Sequence, residues 1–348
     1  MIQHWYKQQR RRQASCGENI SALLSSTGHL YTAGASEFGQ LGNGETGEYI
    51  ISTGKVGFNN SGKFVRRSVF VQSEADRDGL MRTTMSSDAM DSTTGRVKCV
   101  TLEDSSQICL SSVSCGRNHI LAVEAPTEGH AHVPRVFSWG CGDYGCLGHF
   151  IQADEYYPRM VGSFRGPIFA NNHPVLAVVG SHCSLVLTRQ GHVYYMGKHK
   201  TAGEATMRPT IVDALANNGH VVTAIGAGGQ TVFCSTKAGV TVSWGHGSHG
   251  ELGFGNGENK SSSQPKFVNG LDSCLVTSVS CGMGHTLFII RNEDEEDAKA
   301  LKKVGKVEEA DMAKFVDQYK GTRGGADDAD GGEAPAKKKS RSSKGGKN

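Results

Sequence analysis

The chain has 348 residues, 37% of them hydrophobic and 20% charged, with a formal net charge of +3 at pH 7. That composition lets the chain bury a core but gives no charge bias strong enough to select nucleic acid or an acidic substrate. No run approaches the ~18 consecutive apolar residues of a spanning helix, so no membrane partner is expected.

Met1 to Gln13 is basic and aromatic, with Trp5, Tyr6 and Arg10-Arg11-Arg12, and lacks the apolar core of a secretory signal. It reads as an arm toward nucleic acid or an acidic partner, as a solvated lead-in, or as a strand that helps close the fold. A repeated unit then begins. Ser15-Cys16-Gly17, Ser114-Cys115-Gly116 and Ser280-Cys281-Gly282 each lead into an apolar run. Gly180 and Ala227 are assigned to the same glycine slot in two worn copies. A second half follows, with glycines five residues apart and then Leu-Gly. It stands at Gly34, Gly39, Leu41, Gly42, again at Gly140, Gly145, Leu147, Gly148, and again at Gly245, Gly250, Leu252, Gly253. The two halves are 17 residues apart from Gly17 to Gly34 and from Gly180 to Gly197, 18 from Ala227 to Gly245, and 24 from Gly116 to Gly140. Gly28, Gly191 and Gly239 fall where a hairpin turn is needed.

Each unit therefore predicts strand, turn, strand and glycine loop, with short strands rich in Val, Leu, Phe and Tyr. The glycine slots lie 99, 64, 47 and 55 residues apart, which makes the first gap about two periods. Such a period with short antiparallel strands predicts propeller blades. Ser52 to Ser111 loses the pattern. A degenerate blade is one reading; the favoured one is a flexible insertion at about 73–95, flanked by strands at Lys63 to Val71 and Val97 to Leu102. The third unit carries Tyr195-Met196-Gly197 in place of Ser-Trp-Gly and has lost its glycine loop. The fifth stops after Ile290, so an incomplete or shortened ring is expected, its open edge covered by the arm, the C-terminal helix or a partner.

Ser138-Trp139-Gly140 with Gly145-Cys146-Leu147-Gly148, and Ser243-Trp244-Gly245 with Gly250-Glu251-Leu252-Gly253, closely resemble the signature of the regulator of chromosome condensation repeat family. The resemblance covers about Ala14 to Arg291 and implies an all-β fold, a β-propeller of such repeats. The expected division is a basic arm at 1–13, the propeller at 14–292, a helical segment at 293–320 and a disordered basic tail at 321–348.

Several motifs are weighed and set aside. Gly140-Cys141-Gly142-Asp143-Tyr144-Gly145 and Gly245-His246-Gly247-Ser248-His249-Gly250 match a dinucleotide fingerprint, but no helix follows to meet a pyrophosphate. Their repetition in register points to interstrand turns, so no cofactor is implied. Cys141, Cys146 and His149 could suggest zinc, yet no second cysteine pair stands at a matching distance, so no metal is assigned. His119 and His285 share one repeat slot, filled elsewhere by Ile20, Cys183 and Gln230, and are expected to hydrogen-bond within their own blades. The ten cysteines are expected as reduced thiols, with Cys16, Cys115 and Cys281 buried at the inner edge.

The recognition candidates are the variable loop residues Glu37, Phe38, Asp143, Tyr144, Ser248 and His249, because loops on rigid scaffolds carry function. Lys337, Lys338, Lys339, Arg341 and Lys344 form a basic cluster on the tail that suits a nuclear import signal or a nucleic-acid contact. No catalytic set can be nominated. The expected function is a non-enzymatic scaffold that binds a protein partner or chromatin in the nucleus, with a cytoplasmic population allowed. The resemblance also implies an alternative, guanine nucleotide exchange on a Ran-type small GTPase, which acts by differential binding rather than side-chain chemistry.

Overall fold

The computed structural model describes residues 11–52, 55–74, 98–126, 133–199, 204–255 and 261–304. The Met1 to Arg10 part of the arm, most of the insertion and the basic tail lie outside these residues. Contacts divide the chain after Lys303.

The first blade is built by β1 (Arg11–Cys16), β2 (Ile20–Ser25) and β3 (Leu30–Gly34). A small hairpin follows, β4 (Tyr49–Ser52) with β5 (Lys55–Gly57), before β6 (Ser61–Arg67) returns to complete the sheet in the order β1-β2-β3-β6. The strands β7 (Val71–Ser73) and β8 (Cys99–Thr101) come next. The second blade comprises β9 (Leu110–Cys115), β10 (His119–Glu124), β11 (Val136–Gly140) and β12 (Glu155–Met160). The third has β13 (Pro174–Val179), β14 (Cys183–Thr188), β15 (Val193–Gly197) and β16 (Thr206–Ile211). The fourth has β17 (Val222–Ala227), β18 (Thr231–Thr236), β19 (Thr241–Gly245) and β20 (Ser262–Phe267). A two-stranded half-blade, β21 (Val276–Cys281) and β22 (Thr286–Ile290), ends the series. A short helix, α1 (Asp213–Ala216), lies between the third and fourth blades. A second, α2 (Glu295–Leu301), follows the half-blade within the segment expected to be helical.

The second strand of each complete blade is apolar at most positions because both its faces are covered: β10, β14 and β18 are buried along their whole length. The cores consequently lie between blades. Leu24, Phe137 and Trp139 belong to one apolar cluster joining the first two blades, Leu121, Phe164 and Met196 to a second, and Val232, Cys234 and Trp244 to a third. Stability in such an array is a sum of neighbour interfaces.

The repeat signature has a local cause. The hydroxyl two residues before the strand-ending glycine donates to the carbonyl of the loop leucine: Thr32 to Leu41 at 2.7 Å, Ser138 to Leu147 at 2.7 Å, and Ser243 to Leu252 at 2.8 Å. The third blade replaces this bond with Tyr195 OH against His199 Nδ1 at 2.9 Å. The ending glycine itself has φ of 97° at Gly140 and 125° at Gly245. A Cβ there would come within 2.4 Å of Asn118 O or 2.0 Å of Gln230 O, so both the conformation and the space demand glycine.

Four expectations are corrected. First, the glycine slot of the fourth repeat is Gly228, not Ala227. Its N–H donates to Thr231 O as Gly116 donates to His119 O, which also moves the paired slot from Gln230 to Thr231. With Gly228, the spacing to Gly245 becomes 17 residues. Second, the strand expected at Lys63 to Val71 is not one strand. Lys63 to Val71 is interrupted: β6 closes the first blade, whereas β7 runs parallel to β12 through Val71 and Arg159 and carries β8 on its outer side. This strap extends the second blade to six strands. Third, the arm ends earlier than Gln13, because Arg11 to Gln13 pair with β2. Fourth, of the three repeated cysteines only Cys115 is buried; Cys16 is exposed and Cys281 half-buried.

Candidate partner-binding site

The turns between the first and second strands of all five units converge on a cavity of about 720 Å³, whose lining includes Gly17, Gly116, Gly180, Gly228 and Gly282. The turns are stitched to their neighbours by backbone hydrogen bonds, Glu18 N–H to Arg117 O, Ser181 N–H to Gly228 O and Gly229 N–H to Gly282 O. Arg117 and Glu18 also form an ion pair at 2.5 Å, half-exposed on both sides, worth little in stability at such exposure.

Ser248 and His249 line this cavity, while Phe38 and Asp143 line a second one of about 210 Å³. Arg117, Ser181 and His182 border both, so four of the six loop candidates meet one continuous surface. Tyr144 lies beside it: its ring meets His182 edge-on at 5.3 Å, and Lys198 Nζ sits 5.1 Å from the ring centroid. Tyr144 holds a φ of 57° and is 39% exposed. A left-handed tyrosine is costly, and such strain concentrates at functional sites. Glu37 is exposed on the same loop as Phe38 but borders neither cavity.

The β4–β5 hairpin is a further exposed element that the sequence reading missed. It rises from the first glycine loop. Ser36 holds both of its stems, donating Oγ–H to Thr46 O at 2.6 Å and receiving Asn60 Oδ1 on its N–H at 3.2 Å. Its side chains stand in solvent, with Tyr49 50%, Ile50 79%, Ile51 57% and Val56 47% exposed. A short apolar run on either side of Thr53-Gly54 was the available hairpin signal. A contiguous apolar group of this kind marks an interaction surface.

The groups that resemble chemistry are occupied otherwise. His119 Nε2 lies 3.0 Å from Ser184 Oγ, both sealed in the core and on adjacent blades, so this histidine does not bond within its own blade as expected. Ser184 donates its proton to Cys146 O at 2.8 Å, which leaves His119 as donor to it rather than base. Burial, with His182 nearby, pushes the His119 pKa down to about 3. His285, the matching histidine of the half-blade, is exposed. Cys146 turns its thiol to Cys141 O at 3.3 Å and His149 places Nε2 at 2.9 Å from Ser138 Oγ, and among the described residues no three such side chains converge on one point. All ten thiols are free, and burial pushes those of Cys115, Cys141 and Cys183 up to about 12. Such thiols are poor nucleophiles at neutral pH.

Comparison with known proteins agrees with this architecture. The family model described as the regulator of chromosome condensation (RCC1) repeat matches residues 135–187 and 242–289. Each match runs from the third strand of one blade to the second strand of the next, so the sequence repeat straddles a blade interface. The chain is 30% identical over 300 residues to the protein RCC2 homolog of Xenopus laevis, covering 86% of this chain and 52% of that protein. It is 30% identical over 291 residues to protein RCC2 of Homo sapiens, covering 83% and 49%. The chain thus spans about half the length of the curated relatives it matches. Among solved structures, human WBSCR16 aligns with a TM-score of 0.55 at 20% identity, covering 81% of this chain and 60% of that one. The chain thus carries repeats that match the regulator of chromosome condensation family model and is similar in fold to the β-propellers built from them.

Proposed function

We propose that this chain is a non-enzymatic scaffold that binds a protein partner, itself free or on chromatin, through the glycine-loop surface and the β4–β5 hairpin. The observation that carries the reading is the solvent-exposed apolar hairpin anchored by Ser36 to the first glycine loop. Exposing Ile50 and Ile51 costs hydration free energy that association recovers. Tyr144 and the Arg117 guanidinium add side-chain types that dominate interface energetics. The cluster of Lys337, Lys338, Lys339, Arg341 and Lys344 would serve nuclear import or a nucleic-acid contact, and a nuclear location follows from that assignment.

The test is affinity capture from nuclear extract with the full chain and with Ile50→Asp/Ile51→Asp, identified by quantitative mass spectrometry. Specific partners should fall at least tenfold in the double variant, while its melting temperature stays within about 2 °C because both side chains are already solvated. An unchanged set of captured proteins would remove the hairpin from the binding surface.

A further inference from the structure

The three glycine loops that border the two cavities are pinned by side chains close to them in the chain. In the first blade Phe38 N–H donates to Gln40 Oε1 at 2.8 Å. In the second, Tyr144 N–H donates to Gln152 Oε1 at 3.1 Å and Gly142 N–H to Asp154 Oδ1 at 2.8 Å. In the fourth, His249 N–H donates to Glu251 Oε2 at 2.7 Å. A surface fixed in this way loses little conformational freedom when it binds, so what it displays is a defined arrangement of charge and rings.

That arrangement is acidic, although the chain carries a formal net charge of +3. Glu18, Asp143 and Glu251 line the cavities, and Arg117 is the one arginine or lysine among the lining residues. Arg117 is already ion-paired with Glu18 at 2.5 Å, which leaves the carboxylates in surplus. Two of the lining imidazoles do not offset them at neutral pH. Burial holds the His119 pKa down at about 3, and burial, followed by the Arg117 charge, lowers that of His182. The surplus is focused at the smaller cavity, about 210 Å³, which Asp143 lines with Phe38, Asn118, Cys141 and His182. The Asp143 charge acts on both the Cys141 thiol and the His182 imidazole, so the carboxylate faces this cavity. The rings beside it already accept a cation: Lys198 Nζ sits 5.1 Å from the Tyr144 centroid, and His182 meets the same ring edge-on at 5.3 Å.

We infer that the smaller cavity receives an arginine side chain of the protein partner, its guanidinium paired with the Asp143 carboxylate and packed against Phe38 and His182. The occupant follows from the lining. An anion would meet Asp143 and find Arg117 already paired with Glu18. An apolar side chain would strip water from Asp143 and return no partner to it. A lysine would satisfy the charge, but a planar guanidinium also forks onto a carboxylate and stacks on rings. The inference rests on the reading that this surface binds a protein, and it names the chemistry recognised there. It does not involve the β4–β5 hairpin.

The probe is N-acetyl-arginine methylamide, titrated into the full chain with amide chemical shifts read by NMR at Asn118, Asp143 and Ser181. The expected result is a saturable shift at all three, and none with the citrulline derivative, which keeps the shape without the charge. In Asp143→Asn, read at Asn118 and Ser181, binding should weaken by about tenfold or more, the loss expected of a charged hydrogen-bonded pair. Asp143 is exposed, so the variant should melt at the temperature of the wild-type chain. Equal affinity for the lysine derivative would overturn the choice of a guanidinium. Shifts that persist with citrulline, or that rise without saturating, would overturn recognition at a built site. Unchanged shifts with every derivative would overturn the inference outright. Partner capture separates this inference from the wider reading. Partners lost in Ile50→Asp/Ile51→Asp but fully retained in Asp143→Asn would remove the arginine site and keep the scaffold. A chain that binds the arginine derivative yet captures no partner would overturn the scaffold and keep the pocket.

Discussion

Trp139→Ala should be the most damaging single substitution in the first half of the molecule, lowering stability by about 3–5 kcal/mol. The indole is fully buried in the apolar cluster between the first two blades. Its truncation removes that packing and leaves Gln40 O without the 3.0 Å hydrogen bond from Nε1, and a buried carbonyl stripped of its donor adds its own desolvation cost. Because the cores sit between neighbours, the effect should be local. Amide exchange in β2, β3 and β10 should accelerate strongly, whereas β18 and β19, two interfaces away, should keep their protection. Uniform acceleration across all four blades would contradict the neighbour-by-neighbour account. A loss under about 1 kcal/mol in urea titration would contradict the packing argument.

Glu155→Ala should cost a similar amount, about 3–5 kcal/mol, for an electrostatic reason. Arg159 is 2% exposed and its guanidinium is ion-paired with Glu155, itself nearly buried. Removing the carboxylate strands a cation in the core. Burial, together with the same charge, keeps the neighbouring His149 imidazole well below its usual pKa. Replacing both members with apolar residues, Glu155→Leu/Arg159→Met, should recover most of the loss, since a buried pair is often no more stabilising than a hydrophobic one. The comparison by urea denaturation is decisive: a double variant as unstable as the single one would show that Arg159 matters for something other than its pairing with Glu155.

These two sites also mark where reading the sequence succeeds and where it stops. The Ser-Trp-Gly and Leu-Gly elements were legible because their causes are local: a hydroxyl-to-carbonyl bond nine residues apart and a glycine pressed against a backbone carbonyl. The buried arginine was not. Its register equivalents, Val65 in β6, Thr210 in β16 and Lys266 in β20, are all exposed, as residues on an outer strand should be. Arg159 differs because β7 pairs alongside it, a contact from far earlier in the chain that no periodicity announces. The same strap explains why the first gap imitates two periods. The slot at Ala227 was misplaced for a different reason: Gly226, Gly228 and Gly229 surround it, and spacing alone does not choose among them until the Gly228 to Thr231 hydrogen bond does. Of the proposed recognition surface, the loop positions followed from repeat register. The left-handed Tyr144 and its contacts to His182 and Lys198 required the fold.

The central claim is that this propeller binds without catalysing. The most direct test is nucleotide release from a Ran-type GTPase loaded with fluorescent GDP, followed with and without excess folded protein. The account predicts a release rate indistinguishable from the spontaneous one. A strong acceleration, lost in Ile50→Asp/Ile51→Asp, would contradict it and make the hairpin and loop surface an exchange site.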